Sequence, residues 1–113
     1  MSKLDEKIEL YGQKIDAIES GADKTLLAKI TKGLGPSIYN KDAETIACSS
    51  SDELATVREN FLKKKLGLTE DDAALDTAIK AVCEKMGSSN RNKYRAIFYY
   101  FLVKAFGKES IYA

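Results

Sequence analysis

The stretch 94–106 is apolar over almost its whole length, and it constrains the fold more than any other part of the chain. Between its ends only Arg95 and Lys104 interrupt a run of aromatic and aliphatic side chains. At about 100° per residue these side chains cover nearly the full circumference of a helix, and such a helix is normally buried. The pattern predicts a hydrophobic, largely buried C-terminal helix over 90–106, placed at the centre of the fold or with one face turned to a partner chain.

Amphipathic helical patterns fill the chain before this stretch. Over 2–20, apolar residues alternate at spacings of four and three, which places them on one face of a helix. Further helices are predicted after a cap at Asp23, over 42–48, from Ser50 to 66, and from a cap at Thr69 to 86. The predicted fold class is all-α, a compact single-domain bundle of about five to six helices over residues 1–113, which is a usual length for one domain.

The balance of charges and the absence of histidine exclude several classes of function. The net charge is +1, so no overall field attracts a strongly charged partner. Without histidine, the usual zinc ligands are incomplete, and a general base would have to be a carboxylate, lysine or cysteine with a perturbed pKa. No such group has a partner at a telling spacing. We therefore expect no enzyme activity, no catalytic residues, no cofactor and no metal ion.

Cys48 and Cys83 stand 35 positions apart and form no CxxC motif. An even number of cysteines leaves a disulfide open, but each lies on an apolar helical stripe, and the N-terminus carries no secretory leader. We expect both thiols to be reduced and buried, as in a cytoplasmic protein. No apolar run approaches the ~18 residues needed to span a bilayer, so no membrane partner is expected.

The sharpest candidate for a binding site is the segment directly before the last predicted helix. The first backbone N–H groups of a helix are unpaired and lie at the positive end of its dipole, which favours anions. Polar and basic side chains accompany them in this sequence, namely Ser88, Ser89, Asn90, Arg91 and Lys93. This pattern is typical of a site for a phosphate or carboxylate group. The alternative is a well-capped helix whose Arg91 and Lys93 pair with acidic residues of the same chain.

The second candidate is the longest irregular stretch, 35–40. This loop could form one wall of a pocket next to the anion site. The residues that would line it are Gly35, Ser37, Tyr39 and Asn40. The alternative is a structural turn in which Ile38 and Tyr39 fill the core. The sequence pattern leaves both interpretations open.

Four segments together resemble the signature of a known family. They are 33–40 (GLGPSIYN), 60–67 (NFLKKKLG), 88–96 (SSNRNKYRA) and 106–110 (FGKES). Across essentially its whole length the chain resembles a small bacterial family known as domain of unknown function 2853. The resemblance implies a compact helical bacterial protein of the cytoplasm, and it carries over no catalytic residues.

These observations predict a non-enzymatic protein-interaction or regulatory module in the cytoplasm. The excess apolar surface of the last helix suits an unknown protein partner or self-association into a homo-oligomer. The alternative is a binder of a small anionic ligand at 88–93, with 35–40 as a wall. Nucleic acid is not expected as a partner, because the basic residues of 88–113 are less dense than those of a nucleic-acid-binding surface.

Overall fold

The structure, a computed structural model, describes residues 3–87 and 93–112, without the side chains of Ser37, Lys41 and Asp42. Within these ranges the chain is helical and forms no β-strand, which confirms the all-α prediction. Its α-helices are α1 (Lys3–Ile18), α2 (Lys24–Gly33), α3 (Lys41–Glu44), α4 (Ser51–Thr56), α5 (Asp72–Met86) and α6 (Arg95–Phe106). Short 3₁₀-helices occupy Gly35–Tyr39 and Glu109–Tyr112, and α4 continues directly into a π-helix, Val57–Lys65.

Helix α6 lies at the centre of one hydrophobic core and packs against α1, α2, α3 and α5. Eight consecutive residues, 96–103, are buried. Burial of side chains of this size contributes about 1.5–3 kcal/mol each. The apolar circumference of α6 is therefore covered by helices of the same chain.

Two helix boundaries differ from the prediction because distant segments compete for backbone groups. The predicted helix 42–48 ends at Glu44, because Thr45 forms an antiparallel bridge with Tyr94 and the Ile46 N–H donates to the Lys93 carbonyl oxygen at 2.8 Å. For the same reason Tyr94 is extended (ψ 133°), and the predicted helix 90–106 starts at Arg95. The region 88–92 lies outside the described residues.

The predicted cap at Thr69 is also wrong. The N-cap of α5 is Asp71, whose carboxylate accepts from the Ala74 N–H at 2.8 Å. Leu68 is buried and its N–H donates to the Leu62 carbonyl oxygen at 3.0 Å, which keeps the chain after it out of the helix. The predicted cap at Asp23 is confirmed, since its carboxylate accepts from the Leu26 N–H at 3.1 Å.

A disulfide joins Cys48 to Cys83, so the expectation of two reduced thiols is wrong. The connection from α3 to α4 folds onto α5 and brings the two Cα atoms to 6.1 Å, within the usual range for a disulfide. Apolar stripes indicated correctly that both residues pack against the core. They carried no information on which side chains meet there.

None of the helices in the described part of the chain combines the length and apolar character that crossing a bilayer requires.

Candidate functional site

The predicted anion site falls mostly outside the described residues. Ser88, Ser89, Asn90 and Arg91 lie there, so this site stays a prediction. Lys93 is described, and its side chain is only 8% exposed.

The predicted pocket loop 35–40 is a 3₁₀-helix followed by the start of α3. Ile38 is buried in the core, as the turn interpretation requires, but Tyr39 is 47% exposed and does not fill the core. The backbone of Gly35 has a positive φ of 66°, and the Asn40 carbonyl oxygen accepts from the Glu44 N–H at 2.8 Å. The side chain of Ser37 is not described. The loop therefore positions α3, which contacts both this 3₁₀-helix and α6.

A buried polar cluster joins α1 to α3 beside the start of α6. The Tyr11 hydroxyl donates to Glu44 Oε2 at 2.6 Å, and Lys7 Nζ donates to the same oxygen at 2.7 Å. Tyr11 is fully buried, and its ring centroid lies 5.0 Å from that of Tyr94. Burial, reinforced by the bond to the Glu44 carboxylate, raises the pKa of Tyr11 far above its usual range. The hydroxyl is therefore a permanent hydrogen-bond donor, not a general base.

Arg95 ties three helices together at the start of α6. Its Nε donates to the Ala43 carbonyl oxygen at 2.7 Å, its Nη1 to the Tyr99 hydroxyl at 3.0 Å, and its Nη2 to Glu53 Oε1 at 3.1 Å. The other Glu53 oxygen accepts from the Ala47 N–H at 3.2 Å. Sequence reasoning missed this role, although a charge inside an apolar helix signals it, because a buried charge must be paired.

An apolar groove of about 330 Å³ runs between α5 and α6 and opens to solvent. Val82 and Phe101 form its floor. Its side walls are short because they consist of alanines, namely Ala78, Ala81 and Ala105. At its rim are two lysines and one glutamate, namely Lys85, Lys104 and Glu19.

One of these rim lysines covers part of the groove floor. Lys85 Nζ lies 2.7 Å from Glu19 Oε1 and 4.9 Å from the Phe101 ring centroid. No motif in the sequence indicated this groove, because the alanines that create it are ordinary helix residues.

Several acidic side chains on the π-helix and α5 pair with basic side chains of the π-helix. Arg58 and Lys63 pair with Glu59 at 2.8 and 2.9 Å, and Lys63 pairs with Asp72 at 2.7 Å. Among the described residues, no group of three or more acidic or cysteine side chains is arranged to hold a metal ion. The cluster is a surface network of ion pairs.

Comparison with known proteins identifies a family but brings no activity. No curated protein matches the chain. A family model described as a protein of unknown function (DUF2853) matches residues 11–110, which covers most of the 113 residues and confirms the resemblance seen in the sequence. The chain therefore belongs to the DUF2853 family.

Proposed function

We propose that this protein is a non-enzymatic interaction module that binds an amphipathic helix of a partner protein in the groove between α5 and α6. The observation that carries the proposal is a solvent-facing groove with an apolar floor of Val82 and Phe101, partly covered by the Lys85 side chain, beside short alanine walls. A groove of this shape suits the helix-in-groove mode, in which apolar side chains of one helix face insert between two helices.

Rim charges favour a partner whose apolar face is flanked by acidic residues. The rim carries two positive side chains, Lys85 and Lys104, and one negative side chain, Glu19. Lys104 and Glu109 are 3.6 Å apart and both are more than 40% exposed, so this pair is weak and an incoming carboxylate can compete for the lysine. A basic partner would face two like charges.

Self-association draws less support than a separate partner. The sequence argument for it was the apolar surface of the last helix, and residues 96–103 of that helix are buried within the same chain. We therefore propose a separate partner protein, and the experiment below can still detect self-association. The non-catalytic part of the proposal is supported by the polar groups at the start of α6, which bond to one another.

Selection from a displayed library of peptides of about 16 residues, roughly 24 Å long as helices, tests the proposal. We expect enriched peptides to be amphipathic, to carry acidic flanks, and to shift backbone NMR signals of Ala78, Ala81 and Ala105. The proposed setting is the cytoplasm, where cellular thiols oppose disulfides. Binding is therefore measured with the disulfide both oxidised and reduced.

Ala81→Arg places a long charged side chain in the groove, while Ala73→Arg places the same side chain on an exposed position of α5 that does not line the groove and lies on a different side of the helix. We expect the first variant to lose peptide binding and the second to retain it, with equal helicity by circular dichroism. Absence of enrichment, or equal binding by both variants, would refute the proposal. A concentration-dependent increase in mass that Ala81→Arg abolishes would replace the separate partner with a second copy.

A further inference from the structure

A second groove, of about 210 Å³, lies on another side of α6, against the π-helix. Tyr99 lines this groove and Phe101 lines the first. These residues are two positions apart in α6, and a step of two positions turns about 200° around a helix. The walls combine aromatic rings with two polar side chains of the π-helix. They include Leu34, Asn60, Phe61, Lys65, Tyr99 and Tyr112.

The π-helix is what brings the two polar side chains to one groove. In an α-helix, residues five apart point about 140° away from each other. The wider π turn bonds residues five apart, as in the 2.9 Å bond from the Leu66 N–H to the Phe61 carbonyl oxygen, and it turns Asn60 and Lys65 toward the same side. Such segments are rare and occur frequently at functional sites.

Three residues that line this groove carry hydrogen-bond donors, namely Asn60, Lys65 and Tyr99. The Tyr99 hydroxyl accepts from Arg95 Nη1 at 3.0 Å, and among the described residues no acceptor takes its own proton. The Asn60 side chain is exposed, and its amide offers two N–H donors. Lys65 Nζ lies 5.3 Å from the Tyr112 ring centroid and adds a positive charge. Two neutral donor groups and one cation fit a ligand group that is anionic and accepts hydrogen bonds.

The remaining walls fit an aromatic ring. Phe61 and Tyr99 stack with centroids 3.7 Å apart, and Tyr112, which also lines the groove, is partly buried and has its pKa raised to about 12 by burial. The volume is below the about 300–1,000 Å³ of sites for drug-sized ligands, so a molecule of a single ring is the right size.

We propose that this groove binds a small planar molecule of one aromatic ring bearing a carboxylate. The carboxylate pairs with Lys65 and accepts from the Asn60 amide and the Tyr99 hydroxyl. The ring lies against Tyr112, Phe61 and Leu34. This site is independent of the α5–α6 groove and of the partner proposed for it.

Benzoate and its neutral analogue benzamide are the probes, titrated into the full-length protein and followed by NMR. We expect benzoate to produce saturable shifts at Asn60, Lys65 and Tyr99, and benzamide to bind at least about tenfold more weakly, because a hydrogen bond to a charged group contributes about 1.5–3 kcal/mol. Lys65→Met should weaken the binding of benzoate by a similar factor, and Lys65→Arg should retain most of the affinity.

Lys64→Met is the matched control, because Lys64 is the adjacent exposed lysine of the same π-helix and does not line the groove. Tyr99→Phe, which removes one hydrogen-bond donor and keeps the ring, should also weaken the binding of benzoate. The proposal is overturned by a lack of saturable shifts, by equal binding of benzamide, or by equal effects of the Lys65 and Lys64 variants. Because Lys65 is remote from the α5–α6 groove, Lys65→Met should leave selected peptides bound, and each proposal can fail alone.

Discussion

Cys48 and Cys83 join the connection before α4 to the last turn of α5, across 35 positions of sequence. The same connection is tied to the start of α6 by the bridge between Thr45 and Tyr94. The short segment 45–48 is thus attached to two helices that come later in the chain, α5 and α6. Side chains also hold this corner, because Arg95 donates to the Ala43 carbonyl oxygen and Glu53 accepts from the Ala47 N–H.

Replacement of both cysteines by serine should lower the free energy of unfolding by about 3–4 kcal/mol. The cross-link restricts the unfolded chain, and its effect grows with the length of the closed loop. Chemical denaturation of the double variant and of the oxidised protein measures the difference. Reduction of the native protein should give the same midpoint as the double variant. A loss below about 1 kcal/mol would show that the disulfide adds little to the noncovalent packing.

Arg95→Met should destabilise the protein by about 2–3 kcal/mol, because it leaves Glu53 and the Ala43 carbonyl oxygen without their guanidinium partner. The Arg95 and Glu53 side chains are 16% and 25% exposed. The comparison is Lys24→Met, which breaks a pair with Asp16 in which both side chains are nearly half exposed. That variant should cost less than about 1 kcal/mol in urea unfolding. Equal losses would contradict the assigned role of Arg95.

The stability of the protein should fall above pH 10, and Tyr11 should account for part of the fall. The folded-state pKa of Tyr11 lies above the unfolded value of about 10, so its contribution is present below pH 10 and is lost as the pH rises further. Tyr11→Phe should therefore cost about 1.5–3 kcal/mol at pH 7 through the lost bond to Glu44, with a shallower alkaline decline. Thermal unfolding between pH 7 and about 11 measures both effects. An alkaline decline of equal slope in the native protein and in Tyr11→Phe would contradict this role of Tyr11.

Much of the fold follows from local patterns, and α6 is the clearest example. Its apolar residues leave no polar face, and the only arrangement that removes such a helix from water is a central one. Caps at Asp23 and Ser50 were equally local, since a side chain needs only to reach a backbone N–H three residues later. Such features depend on neighbours in sequence.

Features decided by distant residues escaped the sequence analysis. Glu53 has the spacing of a capping box, yet its carboxylate binds Arg95 and Ala47 instead of the Ser50 backbone N–H. Helical periodicity also assumes α geometry, so it placed Asn60 and Lys65 on different faces of what is a π-helix. The described residues of the two predicted sites line neither groove, because each groove arises where segments distant in sequence pack together.

The surface network on the π-helix should make stability depend on pH in the acid range. Pairing with Arg58 and Lys63 holds the pKa of Glu59 below its usual value, and pairing with Lys63 does the same for Asp72. A carboxylate whose pKa is lowered by folding stabilises the fold at pH values above its unfolded-state pKa of about 4, and this stabilisation is lost as the pH falls. Lys63→Met should therefore reduce stability at pH 7 and have little further effect near pH 3. Urea unfolding at both pH values tests this, with Lys64→Met as the control. In about 1 M salt the difference at pH 7 should shrink, because exposed charges are screened. A difference that stays constant with pH and salt would assign the role of Lys63 to packing of its aliphatic stem.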